Sequence, residues 1–117
     1  LGEATTEGFE KYYNKIYEGV VKRFANSPVT IHRMSTARWF DTFPDKLDWI
    51  YVDASHSYEG CLHDLTRAVS MIKPGGLLFG DDYGPKKPGV RDAVNKFIDN
   101  TGYTLNNFHD DQFEVQL

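Results

Sequence analysis

A single cysteine, Cys61, is all the thiol chemistry in these 117 residues. No internal disulfide can form, which favours a reducing compartment and an expected cytoplasmic location. No apolar run approaches the roughly 20 residues that span a bilayer, so no membrane partner is expected. There is no basic run, and the net charge is -4, which argues against a nucleic-acid backbone as partner. Repeats, low-complexity stretches and linkers are also missing. One domain over residues 1–117 accounts for the length. Nor does the chain begin with Met. Leu1 leads to the expectation of an upstream segment, in which a targeting signal could have lain.

What is present is enough for a core: 40% of residues are hydrophobic and 15% aromatic, far from the composition of a disordered chain. Thr5 or Thr6 can cap a first helix, acidic early and basic late at Lys22 and Arg23. Its apolar positions Tyr13, Ile16, Tyr17, Val20, Val21 and Phe24 recur at helical spacing. Asn26-Ser-Pro28 stops it. Val29 to Met34 reads as a short strand, and Ser35 or Thr36 caps a brief helix through Phe43. Leu47-Asp-Trp-Ile-Tyr-Val-Asp53 is nearly continuously apolar, the pattern of a parallel strand buried on both faces.

Ser57 begins the next helix, with Tyr58, Leu62, Leu65, Val69 and Ile72 inward. Lys73-Pro-Gly-Gly76 is a turn, Leu77 to Phe79 a strand, and Gly89 to Asn100 a helix. Tyr103 to Phe108 and Gln112 to Leu117 can close a hairpin. Such alternation predicts an α/β fold, mostly parallel, with helices on its faces and a C-terminal antiparallel hairpin.

Ligands of open α/β sheets sit beyond the carboxyl ends of strands. Two strands here end in acids: Tyr51-Val-Asp53, followed by His56, and Gly80-Asp81-Asp82-Tyr83. If the strands are neighbours, three carboxylates and one imidazole converge. Uncompensated, the carboxylates would repel one another. A hard divalent cation such as Mg²⁺ resolves that conflict with oxygen ligands, and a nearby neutral His could take a proton. Taken singly, Asp53 and Asp82 also read as helix caps and His56 as a turn residue. The joint placement is what points to chemistry. His32, His63 and His109 have no comparable context, and Tyr58 and Tyr83 fit packing as well as a pocket wall.

The stretch from Asp48-Trp-Ile-Tyr-Val-Asp53-Ala-Ser-His56-Ser-Tyr58 through Asp64-Leu65, Lys73-Pro-Gly-Gly76, Gly80-Asp-Asp-Tyr83, Gly89-Val90 and Ala93-Val94 resembles the second half of a class I S-adenosylmethionine-dependent methyltransferase. It is similar to small bacterial and viral members with D-x-x-H-x-Y and G-D-D-Y motifs, and to metal-dependent O-methyltransferases acting on macrolide sugars. The resemblance covers roughly Val29 to Ile98. It implies Asp53, Asp81 and Asp82 as ligands of Mg²⁺ or Mn²⁺ and His56 as base. Met34, Ser35 and Asp53 would lie along S-adenosylmethionine, and the acceptor would be a sugar or another small hydroxylated molecule.

One departure is large. None of the ten glycines forms G-x-G, the turn that normally cradles the cofactor. The first two strands of the family are expected before Leu1. In the family they lie between the Val29 and Leu47 strands, so the Leu47 strand is expected to have an open edge. Either the Val29 strand fills it, or two chains associate there. A non-catalytic α/β module is the alternative function. A phosphoacceptor receiver is excluded by order, because its acidic pair would come first.

Overall fold

The computed structural model describes residues 6–107 and 110–117. They fall into two units, divided between Arg33 and Met34. The first unit holds α1 (Thr6–Arg23), with Glu7 in its first turn and Lys22 and Arg23 in its last. Its apolar stripe is amphipathic as expected but uncovered: Phe9, Tyr13 and Ile16 are each about half exposed. The Ser27 hydroxyl donates to the Phe24 carbonyl and ends the helix at the predicted stop. The strand expected at Val29 to Met34 does not form, and most of that segment is exposed. A strand is defined by its ladder, and this segment finds no partner among the described residues.

The second unit runs α2 (Thr36–Thr42), β1 (Leu47–Val52), α3 (Tyr58–Ser70), β2 (Ile72–Gly80), α4 (Pro88–Thr101), β3 (Thr104–Asn107) and β4 (Phe113–Gln116). The caps predicted for α2 and α3 are present, whereas the Thr5 or Thr6 side chain expected to cap α1 lies outside what is described. The Ser35 hydroxyl accepts from the Arg38 N–H and the Ser57 hydroxyl from the Gly60 N–H. Pro88 opens α4, and Gly102, at φ 75°, closes it in the left-handed conformation.

The strands lie in the order β1-β2-β4-β3. β1 pairs with β2 in parallel, and β4 is antiparallel to both β2 and β3. The C-terminal hairpin is therefore present, with its second strand inserted between the first and the rest of the sheet. With the Val29 strand unformed, the parallel part is a single pair. The Lys73 to Gly76 turn is enclosed within β2. Leu47 pairs with Ile72, but Trp49 pairs with Leu77, so the extra residues bulge out, with Gly75 at φ 80°.

Burial alternates along β4, with Phe113 and Val115 buried and Glu114 and Gln116 more open. On β2, Leu78 is buried between half-buried Leu77 and Phe79. One face of the sheet is thus covered. The core comprises Leu78, Phe113 and Val115 with Leu65, Ala68, Val94 and Phe97 from α3 and α4.

β1 departs from expectation. None of its six residues is buried, and Trp49 is 61% exposed. Continuous apolar sequence implies two covered faces only where elements exist to cover them. No helix of the described residues is long and apolar enough to cross a membrane.

Cys61 is 2% exposed on α3. Burial, and then the charges of Asp64 and Asp82, push its thiol up to about 11. It should therefore resist thiolate-directed reagents at pH 8 in the folded chain. Labelling by a disulfide reagent along a urea series should track unfolding measured by circular dichroism. Rapid labelling without urea would show that the α3 core contact opens locally.

Candidate metal and methyl-transfer site

The parallel pairing of β1 and β2 puts both carboxyl ends on one side of the sheet, with Val52 opposite Gly80. Asp53 and Asp81 follow directly, and the Asp81 N–H donates to the Val52 carbonyl at 3.3 Å. The next residue turns back. Asp82 has φ 69°, a left-handed conformation that Asp tolerates better than most side chains but that still carries strain. The turn is held from two sides: the Tyr83 N–H donates to the Asp111 carbonyl at 2.8 Å, and the Tyr83 hydroxyl to Asn95 Oδ1 at 2.6 Å.

His56 comes from the loop between β1 and α3. The Ser57 N–H donates to the Ser55 hydroxyl at 3.3 Å, and the two hydroxyls lie 3.0 Å apart. The start of α4 presses on this loop. A Cβ at Gly89 would collide with the His56 carbonyl oxygen, so only glycine allows that approach.

Asp53, His56 and Asp82 each offer a ligand atom, and these atoms lie within 4.8 Å of one another. His56 Nε2 is 3.0 Å from Asp82 Oδ2. The Asp53 carboxyl is raised above its ordinary range, first by burial, then by the charges of Asp82 and Asp81; His56 opposes the rise. Beside them lies a cleft of about 10 Å³, bounded by Val52, Ala54, Asp81 and Phe113. That is room for about one water-sized species. Two carboxylates at this separation suit a divalent cation that retains water ligands, with an imidazole beside it.

Asp81 stands apart from the other three predicted residues. Its Oδ1 accepts from the Asp82 N–H at 2.7 Å, and it is not one of the three grouped ligands.

Of the residues expected along the cofactor, Ser35 uses its hydroxyl to cap α2, and Met34 is 40% exposed. Next to them a hollow of about 280 Å³ runs from Thr36 to Asp53, walled by Trp39, Phe40, Ile50 and Val52. At its edge the Thr36 hydroxyl donates to Asp64 Oδ1 at 2.8 Å. Asp64 is 3% exposed, and sequence reasoning assigned it no role. The available signal was an acid next to inward-facing Leu65 on an amphipathic helix. Tyr83 packs on Phe113, and Tyr58 packs against the core. His63 lies 3.6 Å from Asp64 and edge-on to Phe40, His32 is exposed, and His109 is outside the described residues.

Known proteins share the fold. The profile of a family described as a methyltransferase domain matches residues 4–83. An uncharacterised protein of Acanthamoeba polyphaga mimivirus is 32% identical over 60 residues, half of this chain and 27% of that protein. The O-methyltransferase NovP superposes with a TM-score of 0.64 at 24% identity, over 85% of this chain and 43% of NovP. CalS11, a TDP-rhamnose 3'-O-methyltransferase of calicheamicin biosynthesis, gives 0.59 at 14% identity, over 97% of this chain and 53% of its own. An O-methyltransferase from Bacillus cereus, solved in complex with SAH, gives 0.60 at 12%, over 98% and 60%. The chain thus spans about a quarter of its viral relative and roughly half of these enzymes. The profile match covers well over half of the sequence, and the chain belongs to the methyltransferase-domain family, with the fold of part of a class I methyltransferase.

Proposed function

We propose that this domain serves the transfer of a methyl group from S-adenosylmethionine to a hydroxyl of a sugar or other small hydroxylated acceptor, with a divalent cation assisting. The observation that carries the reading is the convergence of Asp53, His56 and Asp82 at the ends of two paired parallel strands. Asp53 and Asp82 would hold Mg²⁺ or Mn²⁺, with Asp81 alongside. A bound cation there supplies Lewis acidity toward an acceptor oxygen and relieves the repulsion between the carboxylates. His56, half exposed at the mouth of the cleft, takes the proton of the attacking hydroxyl as the C–O bond forms and the methyl–sulfur bond breaks. Asp82, 3.0 Å away, orients its imidazole. The protein's main contribution is to hold nucleophile and methyl carbon in line. A cytoplasmic setting fits the lone cysteine, and the net charge gives no reason to invoke nucleic acid.

The alternative is a non-catalytic α/β module that keeps the fold; these 117 residues contain no G-x-G turn. What remains for the methyl donor is the Met34-Ser35 turn and the loop after Asp53.

Three outcomes are expected. Calorimetry should show weak Mn²⁺ or Mg²⁺ binding that Asp82→Ala and Asp82→Gly both abolish. The Gly variant should be the more stable by roughly 1 kcal/mol, because the left-handed conformation no longer opposes a Cβ. Unchanged cation affinity in either variant would remove Asp82 from the site. For His56, the Ala variant should keep its melting temperature. In a turnover-competent enzyme it should lose about 10²–10⁴-fold in rate. A large fall in melting temperature would assign His56 to structure instead. Titration of the 117-residue chain with S-adenosylmethionine should show no saturation below millimolar concentrations. Micromolar binding to a monomer would contradict this placement of the cofactor site.

A further inference from the structure

We propose that Tyr83 is a positioning residue that holds Asp82 in its ligand geometry, and that Asn95 on α4 is its anchor. This role rests on the reading of Asp53, His56 and Asp82 as a cation site. The first observation is where the backbone strain lies. Among the described residues, three that are not glycine have positive φ: Asp82 at 69°, Asp110 at 64° and Asp111 at 62°. All three meet in one contact. Asp82 directly precedes Tyr83, whose N–H donates to the Asp111 carbonyl at 2.8 Å. Left-handed backbone under a side chain is costly and persists only where the surroundings over-determine it.

Tyr83 supplies that over-determination. The Gly84 N–H donates to the Asp82 carbonyl at 2.9 Å, which puts Tyr83 at the apex of a three-residue turn. An apex residue that rotates carries its neighbours with it. Here the backbone is tied to the β3–β4 hairpin, and the ring is tilted against buried Phe113 of β4 at 6.2 Å. The hydroxyl donates to Asn95 Oδ1 at 2.6 Å. A Phe at this position would keep the first two contacts, so the hydroxyl bond is what packing leaves unexplained. Asn95 is exposed. Water could satisfy both groups there, and the bond adds little to stability. What it fixes is direction. Asp82 Oδ2 is 3.0 Å from His56 Nε2 and within ligand reach of Asp53. Asp53 and Asp82 repel each other, as the raised Asp53 carboxyl records. A turn free to rock about Tyr83 would let the Asp82 carboxylate swing into water, away from that repulsion. The Tyr83–Asn95 pair keeps it in place.

Calorimetry of Mn²⁺ binding separates positioning from structure. Tyr83→Phe should weaken binding roughly 3- to 10-fold, as one lost hydrogen bond does, at a melting temperature close to the parent's. Asn95→Leu should do the same, and the two substitutions together no more than either alone. Asn95→Asp keeps an acceptor for the hydroxyl and should bind as the parent does. Tyr83→Phe with Asn95→Asp retains the added charge without the bond and should fall to the level of Tyr83→Phe. Parent-like affinity in Tyr83→Phe, beside lost binding in Asp82→Ala, overturns the positioning role and leaves the cation site standing. A lowered melting temperature with unchanged affinity does the same, and so does Asn95→Asp binding equally well with and without the hydroxyl. A parent that binds no Mn²⁺ removes the cation site itself, and this role with it.

Discussion

The candidate site depends on one ladder. Because β1 and β2 run parallel and pair Val52 with Gly80, the residues after each strand emerge side by side. An antiparallel pairing would have sent Asp53 and Asp81 to opposite ends of the sheet. A slip of one residue would have turned every side chain to the other face. Two features protect this register. The Asp81 N–H extends the ladder one step to the Val52 carbonyl. The bulge at Lys73 to Gly76 absorbs the length mismatch at the far end, away from the acids.

The arrangement stores unfavourable energy. Asp53 titrates high because burial and two neighbouring carboxylates oppose its charge, and Asp82 sits at φ 69°. Neither feature stabilises the fold. A turn from β2 to α4 could have been made with glycine at position 82, without left-handed strain on a side chain and without another negative charge. Strain and like-charge crowding at the same few residues are what the proposed binding site would require. The surroundings are correspondingly rigid. Tyr83 is tied at both ends, and Gly89 lets α4 press directly on the His56 loop.

The outer flank of β1 has the opposite character. Among the described residues β1 pairs on one side only, and the hollow beside it is walled by aromatic and branched side chains yet contains the buried carboxylate of Asp64, tied to Thr36. Hydrophobic surface is retained there without being covered, which sets it apart from the well-packed α3–α4 side of the sheet.

Local chemistry was legible in the sequence. Ser35 and Ser57 announce helix starts through their hydroxyls, and the apolar periodicity of α3 and α4 their inward faces. The acids after two strands were visible as candidates, because strand ends are where such sheets bind ligands. What needs a partner was not legible. Among the described residues, Val29 to Met34 has strand-like residues but joins no ladder, and β1 has a core-like sequence but no buried residue. Glycines that read as a turn became a bulge because β2 continues pairing beyond them. Sequence marked Asp53, Asp81 and Asp82 alike. Asp81 accepts from the N–H of the next residue, a local contact, whereas only tertiary structure brings Asp53, His56 and Asp82 together. Propensity and capping act over a few residues and are written in them. Strand pairing, and with it the meeting of Asp53 and His56 with Asp82, depends on residues far along the chain.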